Sequence, residues 1–152
     1  MADRYFDRDE AEELLPVIAN VLGEAREQKQ SLDSLDQELA QAAAKIMVLG
    51  GWIPPHRELA EKRARRELAK EKITEAIKQI HEIGCVVKDL DEGLVDFPAL
   101  RDGREVYLCW KLGEERIGYW HGLDEGFAGR KPLEENEAEP DDDPRSSPGR
   151  LQ

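Results

Sequence analysis

The first third of the chain has apolar residues at alternating intervals of three and four positions. The series begins at Leu15 and ends at Ile46, and Lys29 is its only polar member. On an α-helix this spacing gathers the apolar side chains into one seam, as in a coiled coil. Asp7 and Glu10 have the spacing of a capping box, which predicts that the helix begins near residue 7.

A second helix is predicted from about Pro55 to Ile83. The segment from Gly50 to Pro55 interrupts the first helix, and Gly84 is a natural left-handed stop for the second. Because this connection is short, the two helices are expected to form an antiparallel hairpin over about residues 7–83. Its apolar stripe is predicted to comprise Leu59 or Ala60, Ala64, Leu68, Ile73, Ile77, Ile80 and Ile83.

After Gly84 the apolar period changes from 3.6 residues to two, which predicts strands over 85–90, 94–99 and 105–112. Asp102 and Gly103 are a strong signal for a two-residue type I′ turn. Such a turn fixes the register of the strands on either side and gives one apolar face. The predicted facing pairs are Ala99 with Val106, Phe97 with Leu108, and Val95 with Trp110.

A further strand is predicted from Ile117 to His121, but its register depends on the preceding loop. The same register places Asp96 opposite Cys109 on the second face of the sheet. An odd loop of three residues puts His121 on that face, and an even loop of two or four puts it on the Trp110 face. We favour the even loop, because Gly113 and Glu114 suit a two-residue turn.

These elements predict an α+β fold, in which a long coiled-coil-like antiparallel hairpin packs on a small antiparallel sheet of three or four strands. Residues 1–133 are expected to form a single domain, with the sheet over about 85–133. Residues 134–152 contain seven acids, two arginines and almost no apolar side chains. Such a composition predicts a disordered acidic tail.

Charge and composition exclude some classes of partner and location for this protein. The formal net charge is −12, which argues against nucleic acid and anionic membranes as partners. No stretch reaches the roughly 20 apolar residues that span a bilayer. The two cysteines do not form a disulfide framework, and the N-terminus lacks the pattern of a signal peptide, so a cytoplasmic location is expected. Residues 57–72 are rich in lysine and arginine, which leaves nucleic-acid binding as a further alternative.

The residues of the predicted sheet suggest two candidate sites, a thiol nucleophile and a metal site. Asp96, Cys109 and His121 are the residue types of a thiol nucleophile, if they share a face. A metal site could instead combine His81, Cys85, Cys109 and His121, although no CxxC or HxxxH pair supports it. Because we favour the even loop, we expect Cys109 to be an ordinary thiol, with no bound metal and no cofactor.

Several segments of the chain together resemble a known protein family. They are Gly84–Leu90, Gly93–Ala99, Gly103–Glu114, Tyr119–His121 and Gly126–Arg130, together with Tyr5–Phe6 and Leu14–Pro16. Over roughly residues 4–133 they resemble the prokaryotic family labelled domain of unknown function 2203. The resemblance implies no activity, cofactor or partner. It does direct attention to the sheet, where the candidate binding residues are Asp96, Cys109, Trp110, Trp120, His121, Asp124 and Arg130.

The leading functional hypothesis is a non-enzymatic interaction module that forms homo-oligomers through the helical hairpin, because its apolar seam is longer than a small sheet can cover. The alternative is a small enzyme or metal-binding protein that uses Asp96, Cys109, His121 and Asp124. A pocket that brings Cys109 and His121 together would favour the alternative.

Overall fold

The computed structural model of the chain describes residues 2–50 and 55–133. Within these residues, two helices are followed by five strands and one short 3₁₀ turn, so the predicted α+β class is confirmed. The helices are α1 (Arg8–Leu49) and α2 (His56–Ile83); the strands are β1 (Val86–Asp89), β2 (Leu94–Arg101), β3 (Arg104–Lys111), β4 (Tyr119–Gly122) and β5 (Lys131–Pro132). The acidic tail predicted over 134–152 and most of the predicted Gly50 to Pro55 connection lie outside the described residues.

Helix α1 begins where the capping box predicts. The Asp7 side chain accepts a hydrogen bond from the Glu10 backbone N–H, and the Glu10 side chain accepts one from the Asp7 N–H. With 42 residues, α1 is roughly 60 Å long. Neither described helix is long and apolar enough to cross a membrane.

The two helices pack against each other in antiparallel directions, as two ion pairs between them show. Lys62 pairs with Glu38, and four residues further along α2, Arg66 pairs with Asp36. The predicted stripe of α2 is partly wrong, because Ala64 and Leu68 are exposed. The buried positions of α2 are Leu59, Ala69, Ile73, Ala76 and Ile80.

The five strands form one antiparallel sheet in the order β1-β2-β3-β4-β5. The predicted register of β2 and β3 is confirmed at all three apolar pairs. Asp102 and Gly103 both have positive φ, 54° and 78°, as a type I′ turn requires. The sheet has one more strand than predicted, because the short β5 also pairs with β4.

One face of the sheet packs against the helices and forms the core. Phe6, which precedes α1, meets Phe97 edge to face with ring centroids 5.5 Å apart. The buried core also includes Leu15, Ile18, Leu22, Ile80, Val95, Leu108, Trp110 and Ile117. We call the face of the sheet that packs against the helices the core face. The opposite face, which carries Asp96, is called the polar face.

The predicted even loop before β4 is wrong. Tyr107 pairs with His121 and Cys109 pairs with Tyr119, so His121 lies on the polar face with Cys109. Seven residues, 112–118, connect β3 to β4. Because this number is odd, His121 points to the face opposite to the one that an even loop would give it. Ile117 is not part of the strand as predicted. It is buried, and its N–H donates a 2.8 Å hydrogen bond to Glu12 of α1.

Candidate functional site

Three side chains of different chemistry meet on the polar face. Asp96 lies on β2, Cys109 on β3 and His121 on β4, and each is only 1% exposed. One possible ligand atom from each residue, a carboxylate oxygen, the thiol sulfur and an imidazole nitrogen, lies within 4.8 Å of the others. We call these three residues the donor cluster. In the described part of the chain they form the only such group of potential metal ligands.

The backbone fixes the tautomer of His121. Nδ1 lies 2.9 Å from the carbonyl oxygen of Gly122. A carbonyl oxygen can only accept a hydrogen bond, so Nδ1 must carry a proton. In the neutral ring this leaves the lone pair on Nε2, which faces the donor cluster. An imidazole held by one nitrogen to a backbone carbonyl is the usual arrangement of a metal-binding histidine.

Asp96 is bonded through only one of its two oxygens. Oδ1 lies 3.0 Å from Nε2 of His121, and one proton is shared between the two groups. Oδ2 is buried and has no hydrogen-bond partner among the described residues. Burial raises the pKa of Asp96, and His121, the charge of Lys88 and the nearby Cys109 thiol oppose that shift. The thiol lies close to the carboxylate but does not meet the geometry of a hydrogen bond to Oδ2. A buried carboxylate oxygen without a partner costs about 1–3 kcal/mol, so it requires an explanation.

The surroundings of the Cys109 thiol disfavour its thiolate form. Burial, reinforced by the negative charge of Asp96, raises its pKa to about 11. The thiol therefore stays protonated near neutral pH unless a cation replaces its proton. A cation lies near the sulfur, because Nη1 of Arg130 is 4.0 Å from Sγ.

The segment after β4, residues 123–130, brings Arg130 to the polar face. Glu125 stabilises this segment. Its carboxylate accepts hydrogen bonds from the Gly122 N–H at 2.7 Å and from Nζ of Lys131 at 2.6 Å. On the other side of the cluster, the Tyr107 ring lies 5.5 Å from the His121 ring, and Lys88 lies over Tyr107. Aromatic and cationic side chains therefore surround the donor cluster.

The other candidate residues from the sequence lie elsewhere. Trp110 is buried on the core face, and its indole N–H donates to the Glu114 carbonyl. Trp120 is half-buried on the same face, beneath Arg101 and Lys131. Asp124 is exposed and does not belong to the donor cluster.

Three residues near the donor cluster were missed by sequence reasoning. They are Lys88, whose charge acts on Asp96, Glu114, which binds Arg130, and Glu125. Lys88 and Glu125 belong to segments whose charged residues look like ordinary surface, and Glu114 lies in a connection without a periodic pattern. No signal in the sequence sets these residues apart.

Fold and cluster together define an α+β protein that holds a buried oxygen, nitrogen and sulfur donor set on one face of an antiparallel sheet. The chain belongs to the family described as uncharacterized conserved protein, DUF2203, whose model matches residues 4–133. No curated protein and no solved structure matches the chain.

Proposed function

We propose that the protein binds one divalent transition-metal ion of the zinc type through Asp96, Cys109 and His121. The observation that carries the proposal is the unpartnered Oδ2 of Asp96, a member of a cluster of three buried residues whose donor atoms lie close together. A cation would satisfy that oxygen and would replace the protons of the thiol and of the Asp96–His121 pair. The expectation of no metal rested on an even loop and on the lack of a CxxC or HxxxH pair, and the observed register removes the first of these reasons.

The donor set indicates the class of metal. Thiolate and imidazole ligands suit zinc and similar ions, whereas magnesium and calcium prefer sites made of oxygen alone. Three protein ligands leave a fourth tetrahedral position for water or a small ligand, as in zinc sites with chemical activity. A cleft of about 470 Å³ is lined by Val86, Pro98 and Tyr107 among others, but by none of the three residues of the donor cluster.

Metal analysis of the purified full-length chain, without an added metal-binding tag, tests the proposal. We expect about one zinc per chain in the wild type, because a buried three-ligand site retains its ion through purification. Cys109→Ala and His121→Gln should each lose the ion, since each removes one of the three ligands.

The chain provides matched controls for both variants. Cys85→Ala removes the other buried cysteine and His81→Gln another histidine, and neither residue belongs to the donor cluster. Both controls should keep their metal. A wild type that takes up no zinc or cobalt at micromolar concentration would show that the cluster is a structural polar pair.

Self-association through the hairpin is a second candidate function. In this proposal the protein is an acidic cytoplasmic homo-oligomer. It is supported by large apolar side chains that the described fold leaves exposed. In the distal hairpin, which we define as residues 36–49 and 56–70, Met47 is 86% exposed and Leu68 is 50% exposed. A coiled-coil contact with a second copy would cover such positions.

The solution mass decides this second candidate. Sedimentation at micromolar concentration should give a multiple of 17.3 kDa for the wild type. The double variant Met47→Glu, Leu68→Glu should sediment as a monomer, because two new charges would be buried in the contact. Val17→Glu alters a similarly exposed residue outside the distal hairpin and should leave the mass unchanged. A monomeric wild type would contradict the hypothesis.

Nucleic-acid binding through residues 57–72 has less support. Three of the basic side chains in this segment form ion pairs within the hairpin, which lowers the positive potential available to phosphates. The pairs are Lys62–Glu38, Arg66–Asp36 and Lys70–Glu67.

A further inference from the structure

Arg130 is held rigidly next to the sulfur of Cys109. Its guanidinium carbon lies 3.8 Å from the ring centroid of Tyr119 and 4.3 Å from that of Phe127. Nη2 donates a 2.7 Å hydrogen bond to Glu114, and Nη1 lies 4.0 Å from Cys109 Sγ. Only 15% of the side chain is exposed. A long side chain rarely stays in one position without such contacts on several sides.

The support for Arg130 extends back to the core. Glu114 also accepts a 2.9 Å hydrogen bond from the backbone N–H of Lys111, and its own carbonyl accepts the indole N–H of Trp110. Trp110 is buried in the core. A continuous series of contacts therefore connects the core face to the guanidinium group, so that its position relative to the sulfur does not depend on the exposed segment 123–130 alone.

The charges around the cluster suit a metal-bound thiolate. With a divalent ion in place, the carboxylate of Asp96 and the thiolate of Cys109 balance its two positive charges. Arg130 adds no net charge, because Glu114 neutralises it. A guanidinium N–H can thus donate a charge-assisted hydrogen bond to the sulfur without repelling the ion. Partners of this kind orient metal ligands and contribute to metal affinity.

We propose that Arg130 is a positioning residue that donates a hydrogen bond to the Cys109 thiolate and thereby makes the site select thiolate-preferring metals over hard cations. This inference rests on the proposed metal function. Zinc and cobalt(II) gain most from a well-oriented thiolate, whereas manganese(II) gains little from a sulfur ligand. The contribution of Arg130 is therefore larger for zinc than for manganese.

Titrations of the full-length chain with cobalt(II), zinc and manganese(II) test this role. Arg130→Gln lowers zinc affinity by about 10- to 100-fold, the usual effect of losing such a partner. Its manganese affinity changes by less, so the preference for zinc over manganese falls. The sulfur-to-cobalt charge-transfer band moves to longer wavelength, because the sulfur lone pairs rise in energy when the N–H donor is lost.

Two further variants keep the outcome unambiguous. Arg130→Lys keeps the charge and restores part of the affinity and of the band position. Arg116→Gln removes an arginine that is 69% exposed and paired with Glu12, and it leaves the band and the affinities at wild-type values. An unchanged band and zinc affinity in Arg130→Gln would overturn the role of Arg130 while the metal site stands. A wild type that shows no sulfur-to-cobalt band would overturn the proposed metal function, and this inference with it.

Discussion

Zinc should raise the free energy of unfolding of the wild-type protein by about 3–4 kcal/mol when free zinc is roughly 100 to 1,000 times its dissociation constant. The donor cluster exists only in the folded chain, because its three residues come from three different strands. An ion that binds the folded state and not the unfolded state shifts the equilibrium by that amount. Urea unfolding of chelator-treated protein, with and without added zinc, measures the gain.

The comparison of two histidine variants shows whether this gain comes from the cluster. His121→Gln removes the nitrogen ligand and should abolish the gain, whatever its own effect on the metal-free protein. His81→Gln changes a histidine outside the cluster, whose Nε2 accepts a hydrogen bond from the Val87 N–H, and should retain the gain. An equal gain in both variants would mean that zinc acts at another site.

Replacing Trp110 with alanine should lower the free energy of unfolding by about 3–5 kcal/mol, the usual cost of removing a buried tryptophan. Its ring is 2% exposed in the core, and its indole N–H satisfies the Glu114 carbonyl. The variant loses the packing of the ring and also leaves that carbonyl without its partner. The free energy of unfolding from urea titration, with the slope compared between variants, measures the loss.

Trp120 is the matched control, since it is a tryptophan on the same face of the neighbouring strand. It is only half-buried, and Arg101 and Lys131 lie over its ring at 4.4 and 4.7 Å from the centroid. Trp120→Ala should cost less than about 2 kcal/mol, because it removes partial burial and two exposed cation–π contacts. Equal losses in the two variants would contradict the assignment of Trp110 to the core.

The sequence predicts the parts of this fold that local chemistry determines. Asp7 and Glu10 set the start of α1, and the Asp102–Gly103 turn sets the register of β2 and β3. Both signals depend on residues that are close in sequence. The position of Asp96 opposite Cys109 follows from the turn alone, so the sequence correctly pairs two members of the donor cluster.

The third member, His121, was misplaced because contacts between distant residues position the connection before β4. The N–H of Ile117 binds Glu12 of α1, and the β5 residue Pro132 pairs with Tyr119. Nothing in the local sequence specifies these partners. Gly113 and Glu114 suggested a tight turn, but the chain uses a longer connection whose shape depends on α1.

The apolar stripe of α2 was misassigned for another physical reason. Lys62 and Arg66 lie half-buried towards α1, where Glu38 and Asp36 neutralise them. Their long aliphatic stems can line a helix contact while their charged ends are paired. A pattern that counts only apolar residues cannot recognise such positions, and it therefore placed Leu68 inside the hairpin instead of on its surface.

The seven-residue connection 112–118 has a consequence for how this chain can change length during evolution. Because successive side chains of a strand point to opposite faces, a change of length there that shifted β4 by one residue along β3 would carry His121 to the core face unless a bulge compensated. A shift of two residues would keep it on the face of Cys109. Related chains that retain Asp96, Cys109 and His121 are therefore expected to vary in this connection by even numbers of residues, within the limits set by the contacts of Glu114 and Ile117.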